Sequence, residues 1–334
     1  MGHGLPPLHP QWIEATKAMG SRPPASDDSL YGNRAQFLDL MAAFAEMRQE
    51  SPGAKSVETR DIQIDEKLRA RIYIPPRSPE GSTPPNEGLP VGLYIHAGGW
   101  YTGSVNAEDF MCRDIAFNSH IILISPEYRL APENPYPAGL EDCFKTYEYI
   151  HSHAAEFGGN PLRKFVMGAS SGGNLTACVA LKYTSDPELR PSGIMVSCMM
   201  SCDPSALPAE YKERYYPDVY LDTPVINTNT KRLARQWLQP PAPDYPLYSP
   251  LLHPNIKLLP PIYATAMTND PTYQETVFFY EECKKQGIKA DLVEWSGLPH
   301  FFWSMFGMQK SREYMEIWNE RLRGMIKHSL DEKK

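Results

Sequence analysis

Short, nearly unbroken apolar runs recur along the chain at 91–96, 121–125, 164–168, 193–199, 261–267 and 289–295. Continuous apolar strands of this kind belong to a mostly parallel sheet buried on both faces. Ahead of them, 57–65 and 68–75 alternate apolar and polar positions, as hairpin partners do. Between the runs, helical spacing predicts covering helices over 109–118, 139–154, 173–183, 273–286 and 304–330. Two further helices are expected near the start, over 11–19 and 34–50; Phe37, Leu38, Met41, Phe44 and Met47 carry the apolar face of the second. Polar loops rich in proline and serine are expected at 21–29 and 76–90. The rhythm breaks at 203–248, where tyrosines, prolines and charged residues crowd around one helix expected over 228–238. The pattern predicts one α/β domain with a smaller cap. Residues 1–52 form an N-terminal cap segment, 53–202 and 249–334 the core, and 203–248 a cap insertion.

Composition narrows the partners. With 334 residues, 42% hydrophobic and 22% charged, the chain can build a full core and is not a disordered one. Six cysteines spread over this length do not make a disulfide scaffold. The 33 Lys and Arg against 40 Asp and Glu leave a net charge of −7, the wrong sign for a nucleic-acid partner. No apolar run reaches bilayer length, and the first residues lack the basic start and apolar stretch of a secretory signal. The expectation is a cytoplasmic protein without a membrane partner, a monomer or homodimer. Of the 33 prolines, eight cluster at 132–137 and 240–250, where fixed φ angles stiffen a loop and mark the return from the cap.

The chemistry starts at Gly168-Ala169-Ser170-Ser171-Gly172-Gly173, between an apolar strand and a small-residue helix. Gly-x-Ser-x-Gly in that setting raises the serine above the sheet on a tight turn. Spacing selects Ser170, because Ser171 lacks glycines at both minus two and plus two. A Gly/Ser-rich turn entering a helix is the plainer reading. Neither a phosphate loop nor a dinucleotide fingerprint fits the spacing, and no cofactor is expected.

A second constellation, His96-Ala97-Gly98-Gly99-Trp100, follows the strand 91–95. Consecutive glycines there let backbone N–H groups converge on one point, as an oxyanion requires. Gly98 and Gly99, with the N–H of Ser171, are assigned to that hole. A serine nucleophile needs a histidine base, itself oriented by a carboxylate, in the chain order Ser, acid, His. Of nine histidines, His300 lies just beyond the last strand, at the sheet end where ligand chemistry sits in open α/β folds. Asp270 follows the strand 261–267 and supplies the carboxylate, unless it is only a helix cap. Trp100, Tyr101, Phe301 and Phe302 flank these elements and are the expected pocket residues; ordinary core packing is their other reading. A metal site is not expected. No H-E-x-x-H occurs, and no second cysteine pair completes Cys198 and Cys202.

With these motifs in order, the chain resembles the hormone-sensitive-lipase-like (microbial family IV) carboxylesterases of the α/β-hydrolase superfamily. Glu127-Tyr128-Arg129-Leu130-Ala131-Pro132 and Gly297-Leu298-Pro299-His300-Phe301-Phe302 extend the resemblance, which covers the chain from about residue 57 onward. It implies an α/β-hydrolase fold with an eight-stranded, mostly parallel sheet and a mainly helical cap. It also implies hydrolysis of short- to medium-acyl esters without a cofactor. The implied triad is Ser170, Asp270 and His300, with Gly98, Gly99 and Ser171 around the oxyanion; loop 128–138 and Asp142 are implied to serve structure. The sequence departs from that pattern at Ala97, a glycine in most members, at Ala169 and Ser171 beside the serine, and at Asn134. Within the family it looks closest to fungal esterases that deacetylate polyketide intermediates, so the acetate ester of an aromatic or polyketide metabolite is the expected substrate. Acyl transfer, lactone closure or amide hydrolysis uses the same triad. A noncatalytic ligand-binding member of the fold is the alternative from another class.

Overall fold

The computed structural model describes residues 4–18, 28–46, 53–76, 88–305 and 307–331. Most of the expected loops 21–29 and 76–90, and the end of the helix expected at 34–50, lie outside the described residues. Eight strands form a single sheet: β1 (Glu58–Gln63), β2 (Arg69–Ile74), β3 (Leu89–Ile95), β4 (Ile122–Pro126), β5 (Gly159–Ala169), β6 (Gly193–Ser197), β7 (Ile262–Asn269) and β8 (Ala290–Pro299). Their spatial order is β1-β2-β4-β3-β5-β6-β7-β8. The alternating segments β1 and β2 pair antiparallel, β2 pairs antiparallel with β4, and every later pairing is parallel. The interior strands β4 and β6 are buried at every position, the property that made their apolar runs continuous.

Nine helices lie among the described residues, on the faces of the sheet and in a cap: α1 (Pro10–Ala18), α2 (Leu30–Glu46), α3 (Asp109–Ser119), α4 (Ala138–His153), α5 (Ser171–Tyr183), α6 (Ala209–Lys212), α7 (Thr228–Leu238), α8 (Tyr273–Lys285) and α9 (Gln309–Asp331). Successive side chains of β3 go to opposite faces. Leu93 and Ile95 join a core with residues of α4, α5 and α8, while Tyr94 joins a second core with residues of α1, α2, α3 and α9. Several boundaries differ from the sequence pattern: α2 begins at Leu30 and β5 at Gly159, each a few residues early, and two more differ near the site. The last strand continues to Pro299, because Asn269 of β7 still pairs with Pro299 across an irregular register. The final helix starts at Gln309, after a separate 3-10 turn at Phe302–Ser304.

The segment between β6 and β7 carries α6, α7 and several 3-10 turns, giving a helical cap region over the sheet's C-terminal end. Asn174 of α5 ties its return path down, donating from Nδ2 to the carbonyls of Met200 at 2.7 Å and Tyr248 at 2.9 Å. The N-terminal α2 closes another side. Its Arg34 guanidinium donates to the carbonyls of Tyr101 at 2.7 Å and Ala131 at 2.9 Å, and forks onto Glu133 at 2.7 Å.

Candidate active site

Ser170 occupies the one-residue step between β5 and α5, with φ 57° and ψ −123°. A non-glycine residue holds such a conformation only where its surroundings over-determine it. The flanking glycines show what does so. A Cβ on Gly172 would stand 2.1 Å from the carbonyl oxygen of Ile95, and one on Gly168 would stand 2.7 Å from the same atom. The two glycines therefore let the end of β3 press against the turn, which brings the His96 loop to the serine. The Ser170 N–H donates to the Ser197 carbonyl at 2.9 Å, fixing the turn to β6. Helix α5 starts at the next residue, so its first N–H groups lack acceptors within the helix.

His300 follows directly on β8, and Asp270 directly on β7; both are buried. Their side chains meet, His300 Nδ1 lying 2.6 Å from Asp270 Oδ2. The other oxygen of Asp270 accepts from the backbone N–H and the hydroxyl of Thr272, each at 2.8 Å. The carboxylate thus has three donors and a fixed plane. Cys198, next to the end of β6, sits with Sγ 4.0 Å from His300 Nε2. No sequence signal placed it there. Cys198, Asp270 and His300 bring one metal-ligand atom each within 4.8 Å of one another. Asp270 is already engaged with Nδ1, which leaves Nε2 and the thiol, short of the three protein ligands of a catalytic zinc.

The loop after β3 turns on Gly98, whose carbonyl accepts from the N–H groups of Tyr101 at 3.1 Å and Thr102 at 2.9 Å. With φ 130°, Gly98 runs so close to the Thr102 carbonyl that a Cβ would lie 2.1 Å from it. His96 braces the loop from below: Nδ1 is 2.8 Å from the Ala97 carbonyl and the ring stacks on Tyr128 at 4.1 Å. Burial pushes its pKa down to about 4, so the ring is neutral and Nδ1–H is the donor. Behind the loop, the buried Glu108 accepts from the Ala97 N–H at 2.6 Å and from the Tyr94 hydroxyl.

Burial pushes the Glu108 carboxyl up to about 7, against the downward pull of those two hydrogen bonds. Between its ordinary 4.5 and about 7, the folded chain keeps a proton that the unfolded chain has lost. Stability therefore falls as pH rises through that window. Glu108→Gln keeps an acceptor for Ala97 and removes this dependence. Its stability relative to the parent is expected to be more favourable at pH 8 than at pH 4.5 by about 3 kcal/mol, at 1.36 kcal/mol per pKa unit. Urea unfolding at both pH values measures it, and parallel stability curves for the two proteins would exclude this account.

Ser170, His300, Gly98 and Gly99 open into one cavity of about 690 Å³. Helix α2 forms one wall through Asn33, Gln36, Phe37, Leu40 and Met41, a helical face spaced three and four residues apart. The cap forms another through Val225, Ile226 and residues of α7, and Met200 lies between. Of the four aromatics expected in the pocket, Tyr101 and Phe301 line it. Trp100 and Phe302 are placed elsewhere. Trp100 packs toward Tyr248 at 6.3 Å and borders a separate small cavity behind the loop. Phe302 is fully buried between Trp295 at 5.3 Å and Tyr314 at 5.6 Å. Neighbours along the chain point to different sides of a turn, and adjacency to a motif does not say which. Asp142 accepts from the Arg129 backbone N–H at 2.8 Å and from its guanidinium at 2.9 Å, bracing the loop that starts at Tyr128.

Residues 92–304 match the α/β-hydrolase fold family, and the chain belongs to it. It is 31% identical to a versiconal hemiacetal acetate esterase of Aspergillus parasiticus, over 88% of this chain and 90% of that one. The enzyme of the same name from Dothistroma septosporum is 26% identical, over 91% of each chain. Among solved structures, vibralactone cyclase superposes with a TM-score of 0.86 at 25% identity, covering 98% of both chains. The protein is a serine-type ester hydrolase of the α/β-hydrolase superfamily, acting on small to medium esters and related to fungal secondary-metabolism esterases. Among the described residues no helix is long and apolar enough to cross a membrane.

Proposed function

We propose that Ser170, His300 and Asp270 form the catalytic triad of a hormone-sensitive-lipase-like carboxylesterase whose substrate is the acetate, or another short-acyl ester, of an aromatic or polyketide alcohol. The observation that carries the reading is the 2.6 Å His300–Asp270 contact beside the cavity to which Ser170 is raised. Asp270 accepts a hydrogen bond from Nδ1–H, which leaves Nε2 as the base. As the serine oxygen attacks the ester carbonyl, Nε2 takes its proton. The oxyanion forms against the N–H groups of Gly98, Gly99 and Ser171. His300 then protonates the leaving alcohol, and water repeats the sequence on the acyl-enzyme. The bulky part of the substrate lies along α2 and the cap, where Phe37, Leu40, Met41 and Ile226 offer apolar surface. The versiconal hemiacetal acetate esterases among its relatives support an acetyl group as the acyl part.

The test is a rate series. With p-nitrophenyl esters, kcat/KM is expected to fall by about tenfold or more from acetyl to decanoyl, and acetates of fused-ring phenols to outrun ethyl acetate by at least that factor. A rate that rises steadily with acyl length would sink the acetyl assignment. The likeness to vibralactone cyclase favours lactone closure as the second reading. Hydroxy-ester substrates separate the two: the esterase gives the free acid, the cyclase the ring.

A further inference from the structure

The cap and the turn that carries Asp270 meet at one buried cluster of charge. Lys231 and Arg235 stand one turn apart on α7, and Glu275 lies in the first turn of α8. Lys231 Nζ donates to Glu275 Oε1 at 2.6 Å, to the Pro271 carbonyl at 2.5 Å and to the Tyr215 hydroxyl at 3.2 Å. An ammonium has three donors, and all three are used. Arg235 Nη2 donates to both Glu275 oxygens at 2.9 Å and to the Cys202 carbonyl at 3.1 Å. Glu275 has no exposed side-chain surface and Lys231 only 2%. Burial by itself pushes the Glu275 carboxyl up; Arg235 and Lys231 outweigh it and hold the group below its ordinary value, ionised.

The Glu275 carboxylate faces both cations. Arg235 by itself meets both Glu275 oxygens and is also drawn toward Asp203, so Glu275 stays paired without Lys231, whose own burial offsets much of what its ion pair contributes. Stability is therefore a poor account of Lys231. Its third contact supplies a better one. Pro271 follows Asp270 in the chain, so the ammonium grips the peptide next to the residue that holds His300. The same lysine lines the cavity.

We propose that Lys231 is a positioning residue: it holds the Asp270–Pro271 turn against the cap, so that cap closure and the Asp270–His300 hydrogen bond are set together. The inference rests on the reading of Asp270 as the orienting carboxylate. A ligand that presses α7 outward then loosens the acid turn, and one that fits beneath α7 keeps it in register. Fit in the pocket is thereby felt in kcat as well as in KM.

Lys231→Met tests this, since it keeps the unbranched apolar stem, removes the ammonium and leaves Glu275 paired with Arg235. For p-nitrophenyl acetate, kcat is expected to fall 10- to 100-fold with KM within threefold, while the melting temperature stays the same or rises. The downfield proton resonance of His300 Nδ1–H, assigned by its loss in Asp270→Asn, is expected to shift or broaden. Should Lys231→Met not fold, Lys231→Ala carries the test: ethylammonium entering from the cavity is expected to restore at least a fifth of the lost rate, relative to its effect on the parent enzyme. The proposal is overturned if kcat and the resonance of a folded Lys231→Met match the parent within twofold and in position. It is equally overturned if Lys231→Ala loses activity that ethylammonium does not return. Ser170→Ala separates the two levels: an active Ser170→Ala removes the triad reading itself, whereas an inactive one beside a fully active Lys231→Met removes only the role of Lys231.

Discussion

Replacing Ser170 with alanine is expected to lower kcat for p-nitrophenyl acetate by about 10⁵- to 10⁶-fold, the scale of losing a nucleophile from a triad that acts as a unit. The side chain is small, and the backbone at Ser170 is held by the Ser197 carbonyl and by the close approach of Ile95 to Gly172. The variant should therefore fold and melt as the parent does. It should also stop incorporating a serine-directed phosphonate, which mass spectrometry reads directly. The cavity and its N–H donors remain, so ester binding should persist while turnover does not. Residual activity within tenfold of the parent would move the nucleophile elsewhere and end the serine mechanism at this position.

The second large effect is expected from Asp270→Asn, about 10³- to 10⁴-fold in kcat. The carboxylate accepts from Thr272 twice and from His300 once, and an amide cannot keep all three. If the amide nitrogen faces His300, it stabilises the tautomer with its proton on Nε2, and the base is lost. If the amide oxygen faces His300, the nitrogen opposes the Thr272 N–H. Either way an ionic partner for the imidazolium is gone. KM is expected to change little, because Asp270 is not among the residues lining the cavity. Rates measured from pH 6 to 9 check the origin of the loss. A change of tautomer exchanges no net proton, so the loss is expected to persist at the high-pH end of the series; full activity at neutral pH would show that the carboxylate only caps the turn.

Several features were legible before any coordinates. The strand positions followed from unbroken apolar runs, and α7 spans the residues expected for it. Ser170 was singled out by two glycines, and the structure gives the reason: both are sites of backbone contact that leave no room for a Cβ. Ala97 is tolerated where most of the resembling family has glycine. Its side chain is buried in the core with Tyr94, and its N–H has a carboxylate partner in Glu108.

Other features were not legible. Trp100 and Phe302 stand one residue from cavity-lining neighbours yet face away, a matter of turn geometry. Glu108 and Cys198 carry no motif; their importance comes from contacts with Ala97 and His300, the second of these 102 positions along the chain. Lys231 and Glu275 look like ordinary helix surface residues in sequence, and they are buried only because the cap folds back onto α8.

The sequence by itself determined the strand and helix order, the Gly-x-Ser-x-Gly turn at Ser170, the glycine loop, and the order in which Ser170, Asp270 and His300 follow their strands. These depend on periodicity and on backbone sterics within a few residues, and such signals survive in a linear string. The tertiary structure alone decided which aromatics face the cavity, that α2 supplies one of its walls, and that the buried Lys231 of the cap holds the Pro271 carbonyl beside Asp270. Those outcomes depend on which distant surfaces exclude water from one another. Burial and ion pairing then set the charge states, and no local pattern of residues records them.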